Sequence, residues 1–233
     1  MALDRDVVIA VAVAVAVAPG VSTSTASPAA SPATAVTVRV ANTNSVLYPP
    51  LEFTHEANLP IDASRHAWTN YFKCGYRGAV EQLPGATPRS LYCLVDGTVP
   101  AGAGASSSSA LVCAAALATA TALGGGLTQL QLTQAAIRAE RFAGVLCGGM
   151  DQAISMLGES GAALLIGFFP TLTTERVDLP PGDYVFVVAN SLVTADKHVS
   201  APTCYNLRVA EMALACALLT RCVTLKPSRV GFS

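Results

Sequence analysis

The stretch from Gly97 to Ala115, Gly-Thr-Val-Pro-Ala-Gly-Ala-Gly-Ala-Ser-Ser-Ser-Ser-Ala-Leu-Val-Cys-Ala-Ala, constrains the fold more than any other part of the chain. The apolar run from Leu91 to Val95 predicts a buried strand ahead of it. The Ala/Leu/Val run behind it predicts a helix over Ser107 to Leu123, stopped by Gly124-Gly125-Gly126. Strand, Gly-rich turn and helix in that order place backbone N–H groups and four serine hydroxyls at the positive end of a helix dipole. That is a place suited to phosphate.

Two better-defined phosphate motifs are excluded. No Gly-Lys-Ser/Thr follows the glycines, and the spacing of Gly97, Gly102 and Gly104 does not fit a dinucleotide fingerprint. A second Ser/Thr/Ala/Pro tract at Pro19 to Thr34 reads as a disordered loop, so low complexity is a habit of this chain. That tract is broken by prolines and leads into no apolar periodicity, whereas Ser106 to Ser109 run straight into a helix. Local features leave both readings of the serine loop open.

With 233 residues the chain suffices for one sizeable domain, or one domain and part of another. Charged residues are 12% of the total, the net charge is −1, and no Lys/Arg run is present, which argues against nucleic acid as a partner. The seven cysteines form no Cys-x-x-Cys pair, and none has a His at ligand spacing. Cys113 and Cys216 lie in apolar helical runs, so the thiols read as reduced core groups in a cytoplasmic setting. Val7 to Ala18 is too short to span a bilayer, and the acidic balance of the segment before it has the wrong sign for a signal peptide. Its Val/Ala alternation predicts a strand that pairs with Ala35 to Ala41 as a hairpin with an expanded tip.

The remaining elements follow from period and punctuation. His66 to Gln82 reads as a helix with Trp68, Tyr71, Phe72 and Gly75 on one face. Thr128 with Gln131 forms a capping box opening a helix to about Phe142. A Gly-rich corner from Gly144 to Gly149 precedes a short helix from Asp151. Ala163 to Phe168 and Tyr184 to Ala189 read as strands, and Tyr205 to Leu219 as a closing helix. Strands first and helices intercalated later, without regular alternation, give an α+β class.

A second constellation runs from Glu140 to Gln152, Glu-Arg-Phe-Ala-Gly-Val-Leu-Cys-Gly-Gly-Met-Asp-Gln, where a Gly-rich bend brings two carboxylates toward one cleft. Phosphoryl transfer uses a carboxylate or hydroxyl for Mg²⁺ and a carboxylate near the attacking hydroxyl. Taken singly, Asp151 reads as a helix N-cap and Glu140 as part of a solvated helix face.

Together these segments resemble the GHMP kinases, in particular the galactokinase and N-acetylgalactosamine kinase branch. The likeness rests on Pro-x-x-x-Gly-x-Ser-Ser-Ser-Ser-Ala at Pro100 to Ala110 and on the Glu140 to Gln152 segment. Ala41 to Asn44, Trp68 to Gly75, Val187 to Ser191 and Tyr205 to Glu211 agree in the same order. The likeness covers about Met1 to Leu219. It implies a GHMP kinase N-terminal domain of the ribosomal protein S5 domain 2-like fold over 1–158, the start of a second half over 159–219, and a divergent tail over 220–233.

The resemblance also implies roles. Gly102, Gly104, Ser106, Ser107, Ser108 and Ser109 would wrap the phosphates of ATP, and Ser108 with Glu140 would hold Mg²⁺. Asp151 would face the anomeric hydroxyl of the sugar as base or orienter. Gly148 and Tyr205 would join Asp151 in the sugar site, and Trp68 would lie near the adenine. The implied activity is an ATP-dependent sugar-1-kinase acting on galactose or N-acetylgalactosamine, with no nucleic acid or membrane partner. The other reading is a non-catalytic ATP- or sugar-binding regulator or an inactive fragment. The family's Arg-Val-Asn-x-x-Gly-Glu-His-x-Asp-Tyr motif is expected before Met1, and Arg221 to Ser233 departs from the family, so the chain reads as part of a longer kinase. Ala105 stands where the family has leucine, a change costing about 2–5 kcal/mol at a fully buried, uncompensated site.

Overall fold

The computed structural model describes residues 6–14, 35–56, 58–65, 67–179, 182, 185–189, 191–194 and 201–224. Alternating apolar residues make four strands of one sheet: β1 (Val7–Val13), β2 (Thr37–Asn42), β3 (Leu51–Thr54) and β4 (Leu91–Gly97). Their order across the sheet is β1-β4-β2-β3. β4 runs antiparallel to β1, with Val7 opposite Gly97, and parallel to β2, with Val38 opposite Leu91. The expected β1–β2 hairpin is therefore wrong. Both segments are extended, but β4 lies between them and takes the hydrogen bonds that a hairpin would have made. Residues 15–34, including the predicted disordered tract, lie outside the described residues.

The alternation of β4 decides which face the helices cover. Leu91, Cys93 and Val95 are buried with Val38, Val40 and Phe53, while Tyr92 and Leu94 point to the other, open face. On that open face Arg39 pairs with Glu52 at 2.8 Å and lies over the Tyr92 ring. Helix α1 (Trp68–Glu81) places Phe72 and Tyr76, both almost fully buried, against the covered face. Such a side chain contributes about 1.5–3 kcal/mol.

Helix α2 (Ser107–Ala122) is apolar around most of its circumference because it sits between the sheet, α1 and α3 (Gln129–Glu140). The α1–α2 contact is close enough that a Cβ on Gly75 would stand 2.3 Å from the Val112 carbonyl oxygen. Gly78 likewise admits the Ala139 methyl of α3. The predicted capping box is present: Gln131 N donates to Thr128 Oγ1 at 3.2 Å, and Thr128 N donates to Gln131 Oε1 at 2.8 Å.

A 3-10 turn (Arg141–Ala143) leads to α4 (Met150–Leu157), followed by a separate two-stranded sheet of β5 (Ala163–Gly167) and β6 (Thr173–Val177). The predicted strand at Tyr184 to Ala189 is not formed, since 185–189 carry no strand and Tyr184 is outside the described residues. The closing helix is α5 (Leu207–Thr224), preceded by a π turn (Ala201–Asn206). No helix among the described residues is long and apolar enough to cross a membrane.

No disulfide joins the cysteines of the described residues. Burial pushes the Cys74 and Cys113 thiols from 9.0 to about 12, with the negative charge of Glu140 adding to the rise, and pushes Cys93 to about 11. In the unfolded chain these thiols ionise near 9.0, so above that pH the unfolded state loses protons first. Their stabilisation is intact below about pH 9 and declines as pH rises toward their folded values. Urea midpoints are expected to hold between pH 7 and 8.5 and to fall from pH 9 to 10.5. Thiol titration of the folded chain should label the exposed Cys204, Cys216 and Cys222 fast and the three buried thiols only on unfolding.

Candidate functional site

Gly102, Gly104 and Ser106 have φ of +71°, +74° and +59°, while Ala103 and Ala105 between them do not adopt positive φ. An alternation of this kind is the one by which a nest turns successive backbone N–H groups to one side. Ser106 adopts the left-handed region without being a glycine, and its side chain makes no capping bond to α2. Such strain persists only where the surrounding structure dictates it. The serine loop of the sequence is thus a shaped turn at the start of a 16-residue helix. Ala105 is half-buried, so its missing side chain costs less than a full core truncation.

Three helix ends meet behind this loop. Ser109, in the first turn of α2, donates its hydroxyl to Glu140 Oε2 at 2.8 Å. Gln152, in the first turn of α4, donates Nε2 to the same Oε2 and to Cys147 Sγ at 3.2 Å. Ser109, Glu140 and Gln152 are each 1% exposed or less. A carboxylate at that depth requires partners, and breaking such a group by removing one member costs more than the net worth of any single bond. Glu140 is therefore a buried junction, not a residue of a solvated helix face.

The serines divide by their phase on the helix. Ser109 is the one bonded to Glu140, whereas the Ser108 hydroxyl is buried and has no hydrogen-bond partner among the described residues. Asp151 lies half-buried in the first turn of α4, next to Gln152, where a negative side chain faces the positive end of the dipole favourably. Gly149 caps this helix at φ +98°, close against Ile137, so Asp151 is not the N-cap that it resembles when read alone. Gly148 is exposed, with open space where a Cβ would project.

Trp68 begins α1, donates Nε1 to the Pro49 carbonyl at 3.1 Å and meets the Tyr48 ring edge-on at 5.9 Å. The backbone of Tyr205 lies in the π turn, and its side chain is outside the described residues. The next residue, Asn206, donates Nδ2 to the Gly144 carbonyl and accepts from the Leu146 N–H, both at 3.0 Å. The structure thus brings the serine loop, Glu140 and Asp151 to one cluster of helix ends, with Trp68 held in the Tyr48–Pro49 segment. Gln152 and Asn206 stand inside quoted motifs but drew no role from the sequence. The signal for Gln152 was a long polar side chain one position from Asp151 in a turn that must be half buried.

Among the described residues no group of three or more His, Cys, Asp or Glu is placed to hold a metal ion. At the loop Glu140 offers a carboxylate and Ser108 a buried hydroxyl with no partner among the described residues.

These features define a shaped Gly/Ser turn backed by a buried carboxylate, and residues 70–159 match the family described as GHMP kinases N terminal domain. Residues 70–159 thus carry the N-terminal domain of the GHMP kinases. The chain is 42% identical over 184 residues to a galactokinase of Dictyostelium discoideum, covering 78% of this chain and 36% of that one. A Candida parapsilosis galactokinase is 35% identical over 186 residues, covering 78% and 37%. The chain therefore spans a little over a third of the length of these relatives. The structure of Lactococcus lactis galactokinase complexed with galactose matches with a TM-score of 0.55 at 23% identity over 65% of this chain and 38% of that one, a likeness of fold.

Proposed function

We propose that the chain is the N-terminal part of an ATP-dependent sugar-1-kinase that phosphorylates the anomeric hydroxyl of galactose or N-acetylgalactosamine. The observation that carries this reading is the meeting of the Gly102–Ser106 nest, the Glu140 junction and Asp151 at adjoining helix ends. The similarity to galactokinases supports the substrate class. Residues 1–158 would form the nucleotide-binding part, a division supported by the family match ending at 159 and by the separate β5–β6 sheet beyond it.

In this reading the loop N–H groups hold the phosphates, since Pro100 to Ala110 contains no lysine to do so. The donor set fits Mg²⁺: Ser108 has a buried hydroxyl without a partner among the described residues, and Glu140 a carboxylate. Hard oxygen donors in small number suit an ion that keeps water and nucleotide oxygens in its shell. When bound, the ion neutralises charge that develops on the phosphoryl oxygens. Gln152 and Ser109 orient Glu140. Asp151 accepts the hydrogen bond of the anomeric hydroxyl and sets its oxygen toward the γ-phosphorus; as the new O–P bond forms and ADP leaves, its carboxylate takes the hydroxyl proton.

The test is an ADP-release assay on the chain with galactose and with N-acetylgalactosamine, alongside equilibrium binding of ATP. Sugar-dependent ADP release is the expected result. ATP and sugar binding without release would move the protein to the binding reading, and failure to bind ATP would overturn the nucleotide site.

A further inference from the structure

We propose that Asn206 is a positioning residue for the sugar half of the site, acting by clamping the corner that carries Gly148 and leads into Asp151. This rests on the sugar-kinase reading above. The corner begins at Gly144 with φ +86° and ends at Gly149 with φ +98°. Within it the backbone makes one internal bond, from Cys147 N to the Val145 carbonyl at 3.0 Å. Val145 is buried and anchors one side, but Leu146 and Gly148 are exposed. Left to itself, a segment bounded by two left-handed glycines has many conformations to lose when it orders.

Asn206 supplies the missing restraint from about 60 residues downstream. Its carboxamide donates to the Gly144 carbonyl and accepts from the Leu146 N–H, so one planar group pairs with two backbone sites two residues apart. This is the bonding that a neighbouring strand would offer, delivered by a side chain. A carboxamide is required, because aspartate has no donor and leucine has neither donor nor acceptor. The clamp also fixes Asn206 itself. The backbone at the adjoining position 205, which the family resemblance makes a sugar contact, is thereby tied to the corner that leads into Asp151.

The test compares Asn206→Leu and Asn206→Asp with the unaltered chain by amide hydrogen exchange, thermal melting and the KM for sugar and for ATP. With Asn206→Leu, exchange at the Leu146 amide should rise about tenfold, the factor expected for loss of one or two hydrogen bonds. The sugar KM should rise by a similar factor, with the ATP KM within twofold. Asn206→Asp keeps the shape and the acceptor but sets a carboxylate against the Gly144 carbonyl. It should raise the sugar KM while leaving Leu146 protected, and it carries the kinetic test if the leucine variant does not fold. Unchanged Leu146 exchange in Asn206→Leu, or equal rises in both KM values, would overturn the proposal. A chain that turns over no sugar would sink the kinase reading and the sugar role built on it. The exchange data would still show whether Asn206 holds the corner.

Discussion

Asp151→Asn is expected to lower sugar-dependent ADP release by a factor of about 10² to 10⁴, the range for removing a positioned acid–base group. The substitution keeps volume and shape. It replaces an acceptor-only carboxylate with a group that presents N–H to one side, so the anomeric hydroxyl is no longer drawn toward the phosphorus. The fold should be unaffected: Asp151 is half-buried, Gly149 caps α4, and the junction beneath it is made by Gln152. The ATP KM should stay within twofold, because the loop proposed to hold the phosphates, Gly102–Ser106, lies at the start of α2 and not of α4. Wild-type turnover by the variant would remove Asp151 from the chemistry. A Gln152→Leu comparison separates the roles, since that change strips a hydrogen bond from Glu140 and should be read in the melt as well as in the rate.

The second large effect concerns packing. Gly75→Ala is expected to lower the melting temperature by roughly 5–10 °C, against the usual sign for Gly to Ala in a helix. At an exposed site the change gains about 1 kcal/mol. Here the new methyl would stand 2.3 Å from Val112 O, 2.7 Å from Ala115 Cβ and 2.9 Å from Ala116 N. Two of these are backbone atoms of α2 and have no rotamer to change, so the helices must part. Overpacking of this kind costs about 1–3 kcal/mol or more, and each kcal/mol moves the melt by about 2–4 °C in a chain of this size. Gly148→Ala is the control: its Cβ meets nothing within 4 Å, so the melt should not move. A melt for Gly75→Ala equal to that of the unaltered chain would show that α1 and α2 are less closely packed than described.

Much of this was legible in residues 68–157, where period and punctuation agree. The α1 face, the Thr128–Gln131 box and the strand–turn–helix around the serine loop all lie in local signals that the structure repeats. Partners were less legible than elements. Alternation in β1 and β2 announces extended chain and two faces, but says nothing of who sits beside whom, and β4 takes that place from some 50 residues on. β3 alternates in burial but is only four residues long, directly behind Pro49-Pro50, and every residue of β6 is exposed, so neither offers a sustained pattern to read. In the site, four identical serines hide which one faces inward. Only the phase of α2 against α3 selects Ser109 for Glu140.

The position of β4 also has a meaning in the time of synthesis. β2 can pair with β3 soon after it is made, but β1 cannot pair in the sheet until Leu91–Gly97 follows. At about 5–20 residues per second the first strand waits for several seconds. During that interval β1 and the β4-facing edge of β2 are without their native partner, and the pairing open to them is with each other or with another chain. Chaperone demand on this protein should therefore peak before residue 97 is released and ease once that strand has entered between them.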